Sequence, residues 1–330
     1  MSRAWMVGAL GALAVLVFVG APFVGRMVNV PLSTLWDGSD SMAAKILWDI
    51  RVPRVCLAML AGAALSLGGM TFQAMFRNPL ATPFTLGVAS GAALGAVLFI
   101  RFEALLPPWF VSVGTALAAL AGAMLSILLV YGFTRARRGF STATMLLAGV
   151  ALSFFFSSLI LLVQYMSDHT QTFRMIRWVM GGLEHAVGIR SVLGLLPFAA
   201  AGGLILAAHT HELNLLSTGE ELAQSRGVEV GRTKQLLFFA ASLMVGGVVA
   251  VCGPIAFVGL IVPHICRLLV GPDHRLLLPA TVLFGGAFLT LCDTLARNIM
   301  PPAQMPVGII TALLGGPFFL WLLLARRGEM

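Results

Sequence analysis

The sequence predicts an all-α polytopic membrane protein of about ten transmembrane helices. Three observations carry that prediction. The stretch from Gln235 through Cys266 contains no Asp, Glu, Lys or Arg, and comparable charge-free runs recur along the chain. The 330 residues are 59% hydrophobic and only 10% charged, whereas soluble domains carry about 25% charged residues. The charges gather in short clusters, and the gaps between them approach the roughly 20 apolar residues that cross a bilayer core. Because a charge at the bilayer centre costs about 2.5 to 3.5 kcal/mol, those gaps map the spans.

Read this way, the spans run approximately over 4–25, 55–76, 84–100, 109–131, 143–164, 191–208, 235–252, 255–270, 276–296 and 306–325. The first, with Arg3 ahead of an apolar run, has the look of a secretory signal, but the many spans that follow favour an uncleaved helix. The second opens beside Pro53, whose fixed φ suits a first helical turn. The run from 235 is too long for one span, and Gly253-Pro254 divides it, since proline lacks a donor and clashes with the preceding turn. No second composition class appears, so residues 1–330 read as one membrane domain without a soluble appendage.

An even number of spans puts both termini on one side, and Arg3, Arg326 and Arg327 assign that side to the cytoplasm. The loop holding Arg135, Arg137 and Arg138 then lies inside as well. The inner excess of Lys and Arg is modest, and the arginines left outside, among them Arg51, Arg54, Arg174, Arg177 and Arg297, oppose the usual bias. The net charge of +8 therefore belongs to membrane edges, not to a nucleic-acid surface. Cys56, Cys252, Cys266 and Cys292 form no Cys-x-x-Cys pair, so neither a disulfide frame nor a metal site is expected.

Small residues at helix-packing spacing, Gly87, Gly91 and Gly95 and again Ala58, Gly62 and Ser66, predict close helix contacts. Arg54 precedes Gly68-Gly69 by the interval at which Arg232 precedes Gly246-Gly247, on helices of opposite direction, as an inverted internal repeat requires.

Chemistry-bearing constellations are few. No Gly-x-x-x-x-Gly-Lys-Ser/Thr loop exists, and Lys45 and Lys234 are the two lysines, so this chain does not bind ATP by a phosphate loop. An ion-coupled carrier places ionisable groups inside its spans, yet Asp168 and Asp293 sit at the outer edges. An intramembrane hydrolase built on Ser90 and His264 lacks the Gly-x-Ser-x-Gly spacing, and Ser90 belongs to the glycine packing pattern. His209, His211 and Glu212 lack a fourth metal ligand and read as a solvated helix end. The hydrophilic insert Leu213–Lys234 reads as a short cytoplasmic helix, with Thr218 and Glu221 at capping-box spacing and Gly227 closing it at positive φ. On the outer face, Arg51, Arg54 and Arg297 form a candidate charged rim for an acidic partner. Arg174 and Arg177, beside Trp178, are a second cationic candidate at the outer mouth.

Three blocks, RVPRVCLAMLAGAALSLGGMTFQAMFRNPLATPFTLGVASGAALG (Arg51–Gly95), GPIAFVGLIVPHICRLLVGPDHR (Gly253–Arg275) and MPVGIITALLGGPFFLWLL (Met305–Leu323), give the chain a close resemblance to the permease subunits of ABC importers for iron-siderophores, haem and cobalamin. The resemblance implies a homodimer of ten-helix subunits in the bacterial inner membrane, two cytoplasmic ATPase subunits and an external substrate-binding protein. It implies that this chain is no enzyme and binds no cofactor, ATP and Mg being held by the ATPase subunits. It makes about 213–231 the coupling segment, with Leu216, Gly219, Glu220, Ala223 and Gly227 on matching positions, and makes Arg51, Arg54 and Arg297 the docking residues for the binding protein. Arg174 and Arg177 become candidates for the translocation path, where they would meet carboxylates of a chelate. An iron-siderophore is the first expected cargo, with haem or cobalamin as alternatives. Gln304 departs from the Glu common before Pro-Val-Gly-Ile in the family, and Thr218 and Arg226 depart from leucines common in the coupling segment.

Overall fold

The computed structural model describes residues 3–25, 31, 34, 41–136, 142–184, 188–300 and 303–325. Arg137, Arg138, Arg326 and Arg327, which helped to assign the cytoplasmic side, lie outside them. Among the described residues the chain is helices joined by turns and loops, without a strand. The helices are α1 (Arg3–Gly20), α2 (Met42–Lys45), α3 (Val52–Phe76), α4 (Val88–Phe102), α5 (Pro108–Ala136), α6 (Thr142–Tyr165) and α7 (His169–Val179). They continue with α8 (Ile189–Ala208), α9 (Thr210–Thr218), α10 (Glu220–Ser225), α11 (Val230–Cys252), α12 (Val258–Val270), α13 (His274–Ile299) and α14 (Val307–Ala325). All ten predicted spans appear. Eight are long and apolar enough to cross a bilayer, and α12 and α14 are shorter apolar helices.

Two element boundaries differ from the charge map. A π-helical turn over Ile46–Arg51 joins α2 to α3, so one continuous helix runs from Met42 to Phe76. Lys45, Asp49 and Arg51 end the apolar run without ending the helix, because charged side chains at a membrane edge have helix propensities close to those of apolar ones. The helix α7 was not expected. Asp168 caps it by accepting from the Gln171 N–H at 2.8 Å, and it buries Met175 and Trp178 along one face. An amphipathic helix with two arginines contains no charge-free run, so a span map passes over it.

The helix α3 is the axis of the bundle, packing against α8, α11, α12 and α13, while α4 pairs with α5. The small-residue spacing performs as predicted. A Cβ on Gly91 would stand 2.5 Å from the Gly122 carbonyl oxygen, and one on Gly62 would stand 2.2 Å from that of Gly285. In lipid, where apolar surface gains nothing by leaving solvent, such backbone approach is what holds helices together. Gly68-Gly69 and Gly246-Gly247 both lie buried in their helices but meet different partners, Gly69 the backbone of Gly259 and Gly247 the ring of Phe198. The division at Gly253-Pro254 is also observed: α11 stops at Cys252, Gly253 takes φ 68°, and α12 begins after Phe257, itself at φ 68°.

Candidate functional site

Three sites gather the predicted residues. In the first, α13 presents Asp293, 1% exposed, to Arg54 at the start of α3. Arg54 donates through Nη2 to Oδ1 at 2.8 Å and through Nε to Oδ2 at 3.0 Å. Arg297, one turn along α13, brings its Nε to 3.1 Å from the same Oδ2. The remaining Arg54 nitrogen, Nη1, donates to Gln304 Oε1 at 2.7 Å. Arg51 is buried nearby and donates to the Pro22 carbonyl at 2.9 Å. Sequence reasoning therefore placed the three arginines in one cluster correctly but misjudged its form. It is a largely buried, internally bonded cluster, not an open rim, because guanidinium groups taken out of water need a carboxylate. Asp293 is the residue that reasoning missed. Its i,i+4 spacing from Arg297 was in the sequence; its pairing with Arg54 was not. With three guanidinium groups and one carboxylate, the cluster keeps a net positive charge.

Sharing Gln304 with it, a cavity of about 770 Å³ is lined by side chains of α4, α5, α7 and α11 and by Glu184, Ala303 and Gln304. Arg174 and Arg177 both reach it, as does Trp178. Arg174 forms a two-pronged pair with Glu103, Nη2 donating to Oε2 at 2.8 Å and Nη1 to Oε1. Arg177 lies 3.6 Å from Glu184. The strand of chain carrying Glu184 is fixed by backbone bonds on two sides: the Gly182 N–H donates to Cys252 at 2.8 Å, and the Gly308 N–H donates to Gly181 at 3.0 Å. The approach is so close that a Cβ on Gly181, at φ 68°, would stand 2.0 Å from the Pro254 oxygen.

The hydrophilic insert holds two helices where one was expected. The Thr218 hydroxyl does not cap α10; it donates backwards to the Leu215 carbonyl at 2.8 Å, which keeps Thr218 in the last turn of α9. The capping-box reading is thus corrected, and the break falls on Gly219 at φ 141°, ψ 150°, a region essentially reserved for glycine. Gly227 takes φ 85°, as predicted. Leu216 and Ala223 are buried and anchor the two short helices to the bundle. The exposed Glu220 is fastened by Lys234 Nζ at 2.5 Å, and that lysine is itself buried. Asn214 of α9 donates to Asp273 Oδ1 at 2.8 Å and accepts from the His274 N–H at 2.9 Å, tying α9 to the start of α13. The Arg275 N–H and the Asn214 amide hold the Asp273 carboxyl below the usual carboxylate range. Thr218 and Arg226 are exposed, so their polarity costs the chain nothing.

The other candidates stand in ordinary surroundings. The Ser90 hydroxyl donates to the Gly87 carbonyl at 3.1 Å, and His264 lies edge-on to Phe318. His209 Nδ1 is 2.8 Å from the Ile205 carbonyl oxygen. Among the described residues no cluster of metal-ligating side chains occurs.

The model of the FecCD transport family matches residues 12–325. A hemin transport system permease protein, HmuU of Yersinia pestis, is 38% identical over 328 residues, covering 98% of this chain and 96% of the relative. A cobalamin import system permease protein, BtuC of Halobacterium salinarum, is 43% identical over 290 residues, or 88% of this chain and 76% of the relative. Among solved structures, a metal-chelate type ABC transporter in an inward-facing conformation superposes with a TM-score of 0.87 at 32% identity, covering 98% of this chain and 99% of that one.

Proposed function

The chain belongs to the FecCD transport family, and from that premise we propose that it is the membrane-spanning half of an ATP-driven importer for a metal chelate. The observation that carries the proposal is the family match over nearly the whole chain, 12–325, in a protein that has no phosphate loop of its own. The whole chain acts as one permease unit, paired with a second copy, in the bacterial inner membrane with both termini cytoplasmic. Two ATPase subunits hold ATP and Mg, and a binding protein delivers the cargo. The two relatives named for a cargo are haem and cobalamin permeases, which moves the expected cargo from an iron-siderophore towards a metal-bearing macrocycle.

In this reading the exposed short helices around Gly219 receive force from the ATPase subunits, Glu220 standing braced on Lys234. ATP shifts the bundle between outward- and inward-open states only by binding those states differently. Arg174 and Arg177 line the path, and Arg51, Arg54 and Arg297 draw the binding protein's carboxylates. The test is co-purification from native membranes, followed by ATPase assay of the reconstituted complex with binding protein carrying haem, cobalamin or a ferric siderophore. Stimulation by one loaded cargo supports the proposal and names the cargo; a chain that purifies without an ATPase subunit sinks it.

Two further outcomes are expected. Arg51→Glu weakens binding-protein docking about tenfold or more at low ionic strength, and the deficit shrinks as salt is added. Arg54 and Arg297 are left in place in this test because they share a buried carboxylate that their loss would leave unbalanced. Unchanged affinity at low salt would remove the docking role. Gly219→Val forces a branched side chain into glycine-only backbone at a cost of about 1–3 kcal/mol, so binding protein still docks but no longer stimulates ATP hydrolysis. Retained stimulation would mean that the break between α9 and α10 transmits nothing.

A further inference from the structure

We infer that Glu103 and Glu184 are positioning residues that hold Arg174 and Arg177 towards the outer cavity and balance their charge, and that the cargo is a chelate bearing free carboxylates. The inference rests on the importer reading and extends it to a cargo class. Its basis is the pairing and burial of the four side chains. The arginines are the more exposed members: Arg174 and Arg177 both line the cavity, with 47% and 44% of their side chains exposed. The carboxylates are the more buried members: Glu103, 17% exposed, lies outside the cavity lining, and Glu184, 8% exposed, is part of that lining beside Arg177. Both Glu184 oxygens are buried, and among the described residues no hydrogen-bond donor reaches them, which leaves the Arg177 guanidinium at 3.6 Å as their counter-charge. A carboxylate kept in such a place without hydrogen bonds is costly unless its charge is used.

The use that fits is attenuation. A guanidinium offers five N–H donors in a fixed fork. Glu103 occupies two donors of Arg174, so the rest stay turned towards the cavity, where a carboxylate of the cargo can meet them. With each arginine already paired with a carboxylate, that meeting adds little net charge energy, and the cargo is released as readily as it is held. A translocation path needs this balance, since binding must be favourable enough to enter and weak enough to leave. A bare pair of arginines would trap a dicarboxylate. A cargo without carboxylates would need neither arginine, and the four ionisable side chains around the cavity would have no partner outside themselves.

The test is equilibrium binding to the purified permease–ATPase complex without its binding protein, using haemin, which carries two carboxylates, and cyanocobalamin, which carries none. Glu103→Gln and Glu184→Gln keep side-chain shape and remove one balancing charge each. Each is expected to tighten haemin binding about tenfold at low salt, with the gain lost at high salt, and to leave cyanocobalamin unchanged. In transport, KM and kcat for haemin fall together. The double variant Glu103→Gln with Arg174→Gln removes the pair and returns haemin affinity to the starting value or below. Unaltered haemin affinity in both single variants overturns the inference, and so does equal tightening for the two probes, which would report a loosened cavity. The two glutamates lie on separate elements, so misfolding of one variant leaves the other to decide. A complex that carries its ATPase subunits yet gives a flat haemin response sinks the cargo class alone, whereas absence of the ATPase subunits sinks the importer reading.

Discussion

Asp293→Ala is expected to destabilise the protein by about 3–5 kcal/mol, the cost of leaving buried charge without its partner. Asp293 receives a bidentate bond from Arg54 and the Arg297 guanidinium on its second oxygen. Removing the carboxylate leaves two guanidinium groups facing each other, with Arg51 close by, in a place where water reaches them poorly. Asp293→Asn keeps a carbonyl oxygen for one arginine and should fall between the two. Adding Arg54→Leu to Asp293→Ala removes one orphaned charge and should recover part of the loss, because a buried pair is often replaceable by apolar groups while half a pair is not. Unfolding of large membrane proteins is commonly irreversible, so the readout is inactivation half-life in detergent at a fixed temperature. An unaltered half-life for Asp293→Ala would mean that the cluster is solvated and that its arginines need no internal partner. The same variant should also blunt docking, since the three arginines would no longer be held in register.

Gly69→Val is expected to abolish accumulation of folded protein in the membrane. A Cβ at Gly69 would stand 1.7 Å from the Gly259 carbonyl oxygen, 2.5 Å from its carbonyl carbon and 2.7 Å from its Cα. Those are backbone atoms of α12, which cannot rotate aside as a side chain can. From the other side, a Cβ on Gly259 would fall 2.7 Å from the Leu65 oxygen, a backbone atom of α3. To admit the side chain, α3 and α12 would have to part along their contact, and α3 is the helix on which α8, α11 and α13 also pack. Overpacking in a yielding core costs about 1–3 kcal/mol; here nothing can yield, and the cost should reach or pass the upper figure. Gly132→Val in α5 is the control, because a Cβ there meets nothing within 4 Å. Comparable membrane yield and a monodisperse elution profile for both variants would show that the α3–α12 contact is not what orders the bundle.

The ten apolar runs were legible because the bilayer makes a one-dimensional rule: a charge ends a span wherever it falls. The division at Gly253-Pro254 and the helical start at Pro53 were legible for a local reason, since both follow from what proline and glycine do to their own backbone. The charge rule failed where it was asked about helices and not about spans. Lys45, Asp49 and Arg51 sit inside a continuous helix, and α7 is a helix with no apolar run at all. Thr218 misled in a similar way. Its spacing from Glu221 is that of a capping box, but its hydroxyl is closer to the carbonyl of its own preceding turn, and that local bond won.

By itself the sequence determined the number and order of the spans, the close-packing faces and the turn at Gly227, because each depends on residues within one or two turns of one another; the break at Gly219 emerged only in the structure. The tertiary structure alone decided how the charges are satisfied. Arg54 and Asp293 are 239 positions apart, Arg54 and Gln304 are 250 apart, and Arg174 and Glu103 are 71 apart. No periodicity or spacing encodes such pairs. They are set by which helix ends the packed bundle brings together, and by the cost of holding a charge away from water, which only a partner at bonding distance can offset.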